Sequence, residues 1–61
     1  MRFLLEELIG QRVKVWTEFA KAEHTDEGTL EGFDGVCLKL GKDNGETLYF
    51  SLFNVRLVKP L

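Results

Sequence analysis

Three side chains in this sequence have the types from which an active site could be built, and each stands alone. Cys37 is the single cysteine and His24 the single histidine of 61 residues. Activating a thiol takes a base or a helix N-terminus beside it, and neither is evident at Cys37, which reads as a small half-buried hydrophobe. His24 lies among Glu23, Asp26 and Glu27 in a polar run, where a solvated histidine is the ordinary case. Asp34 would need a second acid or a histidine nearby to act in catalysis. Its Gly-Phe-Asp-Gly setting, Gly32–Gly35, suits a carboxylate that accepts backbone N–H bonds and holds a bend. One cysteine forbids an internal disulfide, and one cysteine with one histidine falls short of the four ligands of a structural zinc site. No glycine-rich phosphate loop, phosphate-binding lysine motif or nucleophilic serine elbow is present. The expectation is a non-enzyme with no metal and no cofactor.

The elements that carry these residues are short. "RFLLEEL", residues 2–8, predicts a helix of about two turns, with Leu4 below Leu8 and Leu5 below Ile9; Gly10 suits a left-handed cap. "QRVKVWTEF" alternates, with Val13, Val15, Thr17 and Phe19 on one face and Arg12, Lys14, Trp16 and Glu18 on the other. "AKAEHTDEG" is polar and reads as a loop. "GTLEGFDGVCLKL" predicts two strands around a sharp bend, with Val36, Leu38 and Leu40 opposite Cys37 and Lys39. Asn44-Gly45 signals a hairpin turn. "TLYFSLF" and "NVRLVK" complete five strands, and Pro60 is expected to end pairing. Closely spaced strands of this kind predict one small barrel over residues 1–61.

Such a chain cannot bury much. At this size a core supplies roughly 3–5 kcal/mol, and the usual staples are disulfides, metals or self-association. The first two being absent, self-association is expected. The pattern supports it: Leu48, Phe50 and Leu52 share one face of the fourth strand while Tyr49 and Phe53 occupy the other, and Trp16 sits on a charged face. An apolar outer face needs a cover, either a neighbouring subunit or the N-terminal helix. The chain is 44% hydrophobic and 30% charged, a soluble globular balance. No segment approaches the roughly 20 apolar residues of a membrane span. Two glutamates in the N-terminal apolar stretch argue against a signal peptide. A lone thiol fits a reducing cytoplasm. The net charge of −2 provides no global basic footprint for nucleic acid.

A helix, five strands and the bent segment Gly28, Leu30, Phe33-Asp34, Val36, Leu38, Leu40 together resemble the Sm-like family (LSm and Hfq proteins). The resemblance implies a short N-terminal helix followed by a five-stranded, strongly bent antiparallel SH3-like barrel. It also implies a homo-oligomeric ring of roughly five to seven copies, formed by pairing the fourth strand of one subunit with the fifth of the next. Trp16, Tyr49, Phe50, Phe53, Val55 and Leu57 would then line the subunit interface. By the same resemblance single-stranded RNA is the expected partner, bound near Asp34, Cys37, Ser51, Phe53, Asn54 and Arg56.

The chain departs from that family where a base would be held. No aromatic stands in the bend after Asp34. Cys37 takes the place of the asparagine that reads the base edge, and a thiol is a weak hydrogen-bonding substitute. Ser51 takes the place of the stacking arginine, and Leu52 that of a glycine. Phe53 and Asn54 offer a substitute aromatic face and amide, though Phe53 equally suits a plug between subunits and Asn54 a turn. Arg56 suits an ion pair as well as a base. Arg2, Arg12, Lys14 and Lys39 could touch phosphates, which position a strand without reading it, or simply face solvent. Two functions are therefore expected: an RNA-binding ring with a non-standard nucleotide pocket, or a protein-interaction and assembly module that has lost nucleotide binding.

Overall fold

The computed structural model describes residues 3–61. Five strands form one antiparallel sheet: β1 Arg12–Phe19, β2 Ala22–Phe33, β3 Cys37–Gly41, β4 Thr47–Ser51 and β5 Val55–Pro60, in the spatial order β4-β3-β2-β1-β5. The five-stranded antiparallel sheet is as expected, but β4 and β5 do not pair with each other, so it is not closed into a barrel. The cause lies in their connection. Leu52–Asn54 form a single 3-10 turn, with the Ser51 hydroxyl oxygen accepting from Phe53 N at 3.3 Å. This turn carries the chain from one end of the sheet to the other, and β5 settles beside β1.

The sheet nonetheless curls over its own inner face. Val13 and Val15 of β1, Leu30 of β2, and Leu38 and Leu40 of β3 are fully buried, and Thr17 nearly so. Leu48 and Phe50 from one edge strand and Val55 and Val58 from the other all pack on this same cluster. Two irregularities in register, between Trp16 and Thr17 against β5 and between Leu30 and Gly32 against β3, supply local bending and extra twist. Gly28 permits the tightest approach of backbone to backbone. A Cβ there would drive into the Gly41 carbonyl oxygen of β3.

The N-terminal segment is shorter and tighter than the predicted helix. Leu4–Leu8 form a 3-10 turn, closed by Glu6 N donating to Phe3 O at 3.1 Å and Ile9 N to Glu6 O at 3.2 Å. Five residues cannot repay the nucleation cost of an α-helix. With three residues per turn, Leu5 and Leu8 fall on one side, and both pack on the core while Leu4 is 82% exposed. Gly10 does adopt a left-handed conformation, at φ +91°; its N–H donates to Leu30 O at 2.8 Å and so leads the chain into β1.

The largest correction concerns "AKAEHTDEG". From Ala22 onward it is the first half of β2, which pairs residue for residue with β1 from Phe19↔Ala22 to Arg12↔Thr29. Only Ala20 and Lys21 form the turn, both with positive φ. In the β3–β4 hairpin Gly45 alone has positive φ, +89°, while the Asn44 side-chain oxygen accepts from Glu46 N at 2.9 Å. Pro60 does not end pairing: it lies opposite Val13, and Leu61 N donates to Arg12 O at 2.9 Å.

Candidate functional site

The residues expected to touch RNA divide into two groups. The first sits where β2 turns into β3 and faces the end of β4. The Asp34 carboxylate oxygen Oδ1 accepts from Val36 N at 2.9 Å and Cys37 N at 2.8 Å. These backbone donors, Cys37 foremost, hold the Asp34 carboxyl below its usual range, since they favour the charged form. Asp34 thus fastens the bend. Cys37 lies directly across from Ser51 and is half-buried. The Cys37 thiol has only a long contact, 3.7 Å to Leu38 O, and Ser51 Oγ is taken up in capping the second 3-10 turn. Leu52 N donates to Val36 O at 2.8 Å, which brings the exposed side chains of Val36, Leu52 and Phe53 to one end of the sheet. Phe3 packs edge-on against Phe33, ring centres 5.4 Å apart, and fills the space a side chain at Gly35 would need.

The second group meets at the end of β1. Asn54 Nδ2 donates to Glu18 O at 3.2 Å, and Arg56 Nη1 pairs with Glu18 Oε2 at 2.8 Å. Between the groups Phe53 is 94% exposed. Its ring is an open aromatic platform, whereas Asn54 and Arg56 are engaged within the chain.

The expected interface residues also separate. Phe50 and Val55 point inward onto the core, while Tyr49, Phe53 and Leu57 are exposed. Trp16 is half-buried on the outer face, opposite Leu57 of β5. Trp16, Leu57, Arg56 and Glu23 line a shallow groove of about 320 Å³. Lys14 Nζ lies 5.0 Å from the Trp16 ring centre.

Among the described residues, five of the seven lysines and arginines have a carboxylate partner, Lys21 and Lys59 being the exceptions. Arg12 forms a two-pronged pair with Asp43 at 2.6 and 3.0 Å, and this pairing lowers the Asp43 pKa. Lys42 meets Asp26 at 2.9 Å, Lys14 meets Glu27 at 4.0 Å, and Lys39 meets Glu31 at 3.9 Å. Arg2 lies outside the described residues. His24 stacks on Phe19 with ring centres 4.6 Å apart. Among the described residues no cluster of histidine, cysteine and carboxylates is placed to hold a metal, and no helix is long and apolar enough to cross a membrane.

The Glu18–Glu23 juxtaposition is not legible in the sequence, because "AKAEHTDEG" carries no strand pattern; nor are the Arg12–Asp43 and Lys42–Asp26 pairs, whose partners are distant in the chain. Trp16 on a charged face was the one visible sign of the groove. No family model matches the chain, and no curated protein matches it.

Proposed function

We propose that this chain is an assembly module of the Sm-like kind, in which β4 of one copy adds to β5 of the next and a homo-oligomeric ring closes. The observation that carries this reading is the pair of free edges at opposite ends of one curled sheet. Unpaired edge strands offer a row of backbone donors and acceptors to another chain. The two edges are different surfaces, so their pairing is head-to-tail and can close only as a ring or run on as a filament. β4 has five residues and β5 six, so the two match in length. Tyr49 and Phe53, exposed at 66% and 94%, flank the β4 edge and gain cover on assembly.

A second reading, single-stranded RNA binding, has one specific observation in its favour, the open Phe53 ring. Stacking a base on such a ring is worth about 1–3 kcal/mol. Arg12, Lys14, Lys39, Lys42 and Arg56 each have a carboxylate partner, which tempers their attraction for phosphate and leaves Lys21 and Lys59 as the unpaired cations among the described residues. Assembly is therefore the primary reading.

Native mass spectrometry tests both. Wild-type protein should fly as one closed stoichiometry, and Tyr49→Asp should fly as a folded monomer. A wild-type monomer overturns the assembly reading. Adding U-rich or A-rich RNA at low salt separates the second reading. Uptake that Phe53→Ala abolishes while the ring persists supports stacking; a ring that ignores RNA removes it.

A further inference from the structure

We propose that the groove over Trp16 receives the basic side chain, lysine or arginine, of a partner polypeptide. The argument begins with register. Glu18 and Glu23 stand directly opposite each other across β1 and β2, an arrangement of like charges that is unfavourable unless a cation intervenes. One cation does: Arg56 reaches in from β5 and pairs with Glu18 at 2.8 Å. Arg56 pairs with Glu18 alone, and Glu23, on the groove wall, has no ion-pair partner among the described residues. Beside it the Trp16 ring forms an apolar, electron-rich wall, and Leu57, 54% exposed, and Arg56, held by Glu18, complete the lining.

An indole next to an unanswered carboxylate is a setting for an ammonium or guanidinium group. The ring attracts it through its π face, the carboxylate through charge, and the long aliphatic stem of a lysine or arginine covers Leu57 and the ring edge. Lys14 already lies over the same ring at 5.0 Å but is not among the groove walls. The volume of about 320 Å³ is at the small end for a ligand site and suits a side chain better than a cofactor. The chain's net charge of −2 draws a basic partner from a distance. This site lies on the sheet face and does not depend on ring formation.

Trp16 is the only tryptophan, so its fluorescence reports the groove directly. The experiment titrates the full-length protein with tetra-lysine, tetra-arginine, tetra-glutamate and an uncharged Gly-Ser tetrapeptide at low salt. Circular dichroism checks the fold of each variant, and sedimentation follows the oligomeric state. The basic peptides should shift Trp16 emission saturably, and the other two should not. Glu23→Gln should weaken the basic peptides roughly threefold, the scale of one exposed ion pair. Arg56→Gln should strengthen them by a similar factor, because it releases Glu18 to the ligand. Glu46→Gln, in the β3–β4 hairpin, should leave affinity unchanged, and added salt should weaken binding throughout. The proposal is overturned by a flat titration, by equal response to tetra-glutamate, or by Glu23→Gln and Glu46→Gln behaving alike. It is also overturned if emission changes only as copies associate, which would make the groove an interface with a second copy.

Discussion

The β1–β2 turn places Ala20 at φ +53° and Lys21 at φ +61°, between the paired residues Phe19 and Ala22. Two successive left-handed residues define the type I′ turn, whose usual occupants are asparagine and glycine. An ordinary residue in this region costs roughly 1–2 kcal/mol, because its Cβ crowds the following carbonyl. Ala20→Asn with Lys21→Gly therefore removes most of about 2–4 kcal/mol of strain. Against that, glycine loses more freedom on folding, about 0.5–1 kcal/mol, and asparagine retains part of the original penalty. The net gain should be about 1–2 kcal/mol, which raises Tm by about 4–16 °C in a domain of this size. The assay is thermal unfolding followed by circular dichroism. Protein concentration must be held fixed, because assembly makes Tm depend on it. The complementary change, Ala20→Val, puts a β-branched side chain where it fits worst and should lower Tm. A double variant that melts within about 2 °C of wild type, half of the smallest change expected, would refute the strain argument.

Three further predictions rest on single contacts. Gly28→Ala should cost about 3 kcal/mol in urea unfolding, because the Gly41 carbonyl it meets is backbone and cannot turn aside. Gly41→Ala meets only the mobile end of Glu31 and should cost under about 1 kcal/mol; equal costs would mean that the β2–β3 approach is not tight. Thr17 is 1% exposed, and its hydroxyl has no partner among the described residues. Thr17→Val should therefore stabilise by about 1 kcal/mol, and a destabilised variant would show that the hydroxyl is bonded. Asp34 and Asp43 both have lowered pKa values in the fold. Their contribution is present above the ordinary aspartate pKa of about 3.9 and is lost as the pH falls through the lower folded value. The wild-type melting temperature should drop between about pH 5 and pH 2, and Asp34→Asn should drop less over the same range.

The legible parts of the fold were those where one face of a strand meets the core. Val13, Val15 and Thr17, or Leu38 and Leu40, alternate because their neighbours face solvent. The first half of β2 lacked that signal: Ala22–Thr25 run beyond the core with every residue exposed, so no alternation exists to be read. Its turn was equally hidden, since Ala-Lys has none of the chemistry that normally marks left-handed residues. The N-terminal segment was legible as helical but not as 3-10, because the two patterns differ only in whether Leu8 sits with Leu4 or with Leu5. At the candidate site Asp34 was legible, its role being set by residues two and three positions away. The groove was not, because Glu18, Glu23 and Arg56 meet only through the β1–β2 and β1–β5 registers.

β5 is attached to the sheet through β1 alone, and that pairing joins residue 15 to residue 58. β1 to β4, by contrast, form a run of hairpins between strands adjacent in sequence. Local hairpins close early, whereas contacts of large sequence separation must wait for the intervening chain to be ordered. The expected order of folding is the four-stranded meander first and β5 last, which pulse-labelled hydrogen exchange would check. Until β5 docks, the β1 edge bearing Val13 and Val15 is unsheathed, and the β5 of any nearby copy carries the complementary sequence. At high concentration during refolding, an exchanged C-terminal strand thus competes with the intramolecular one.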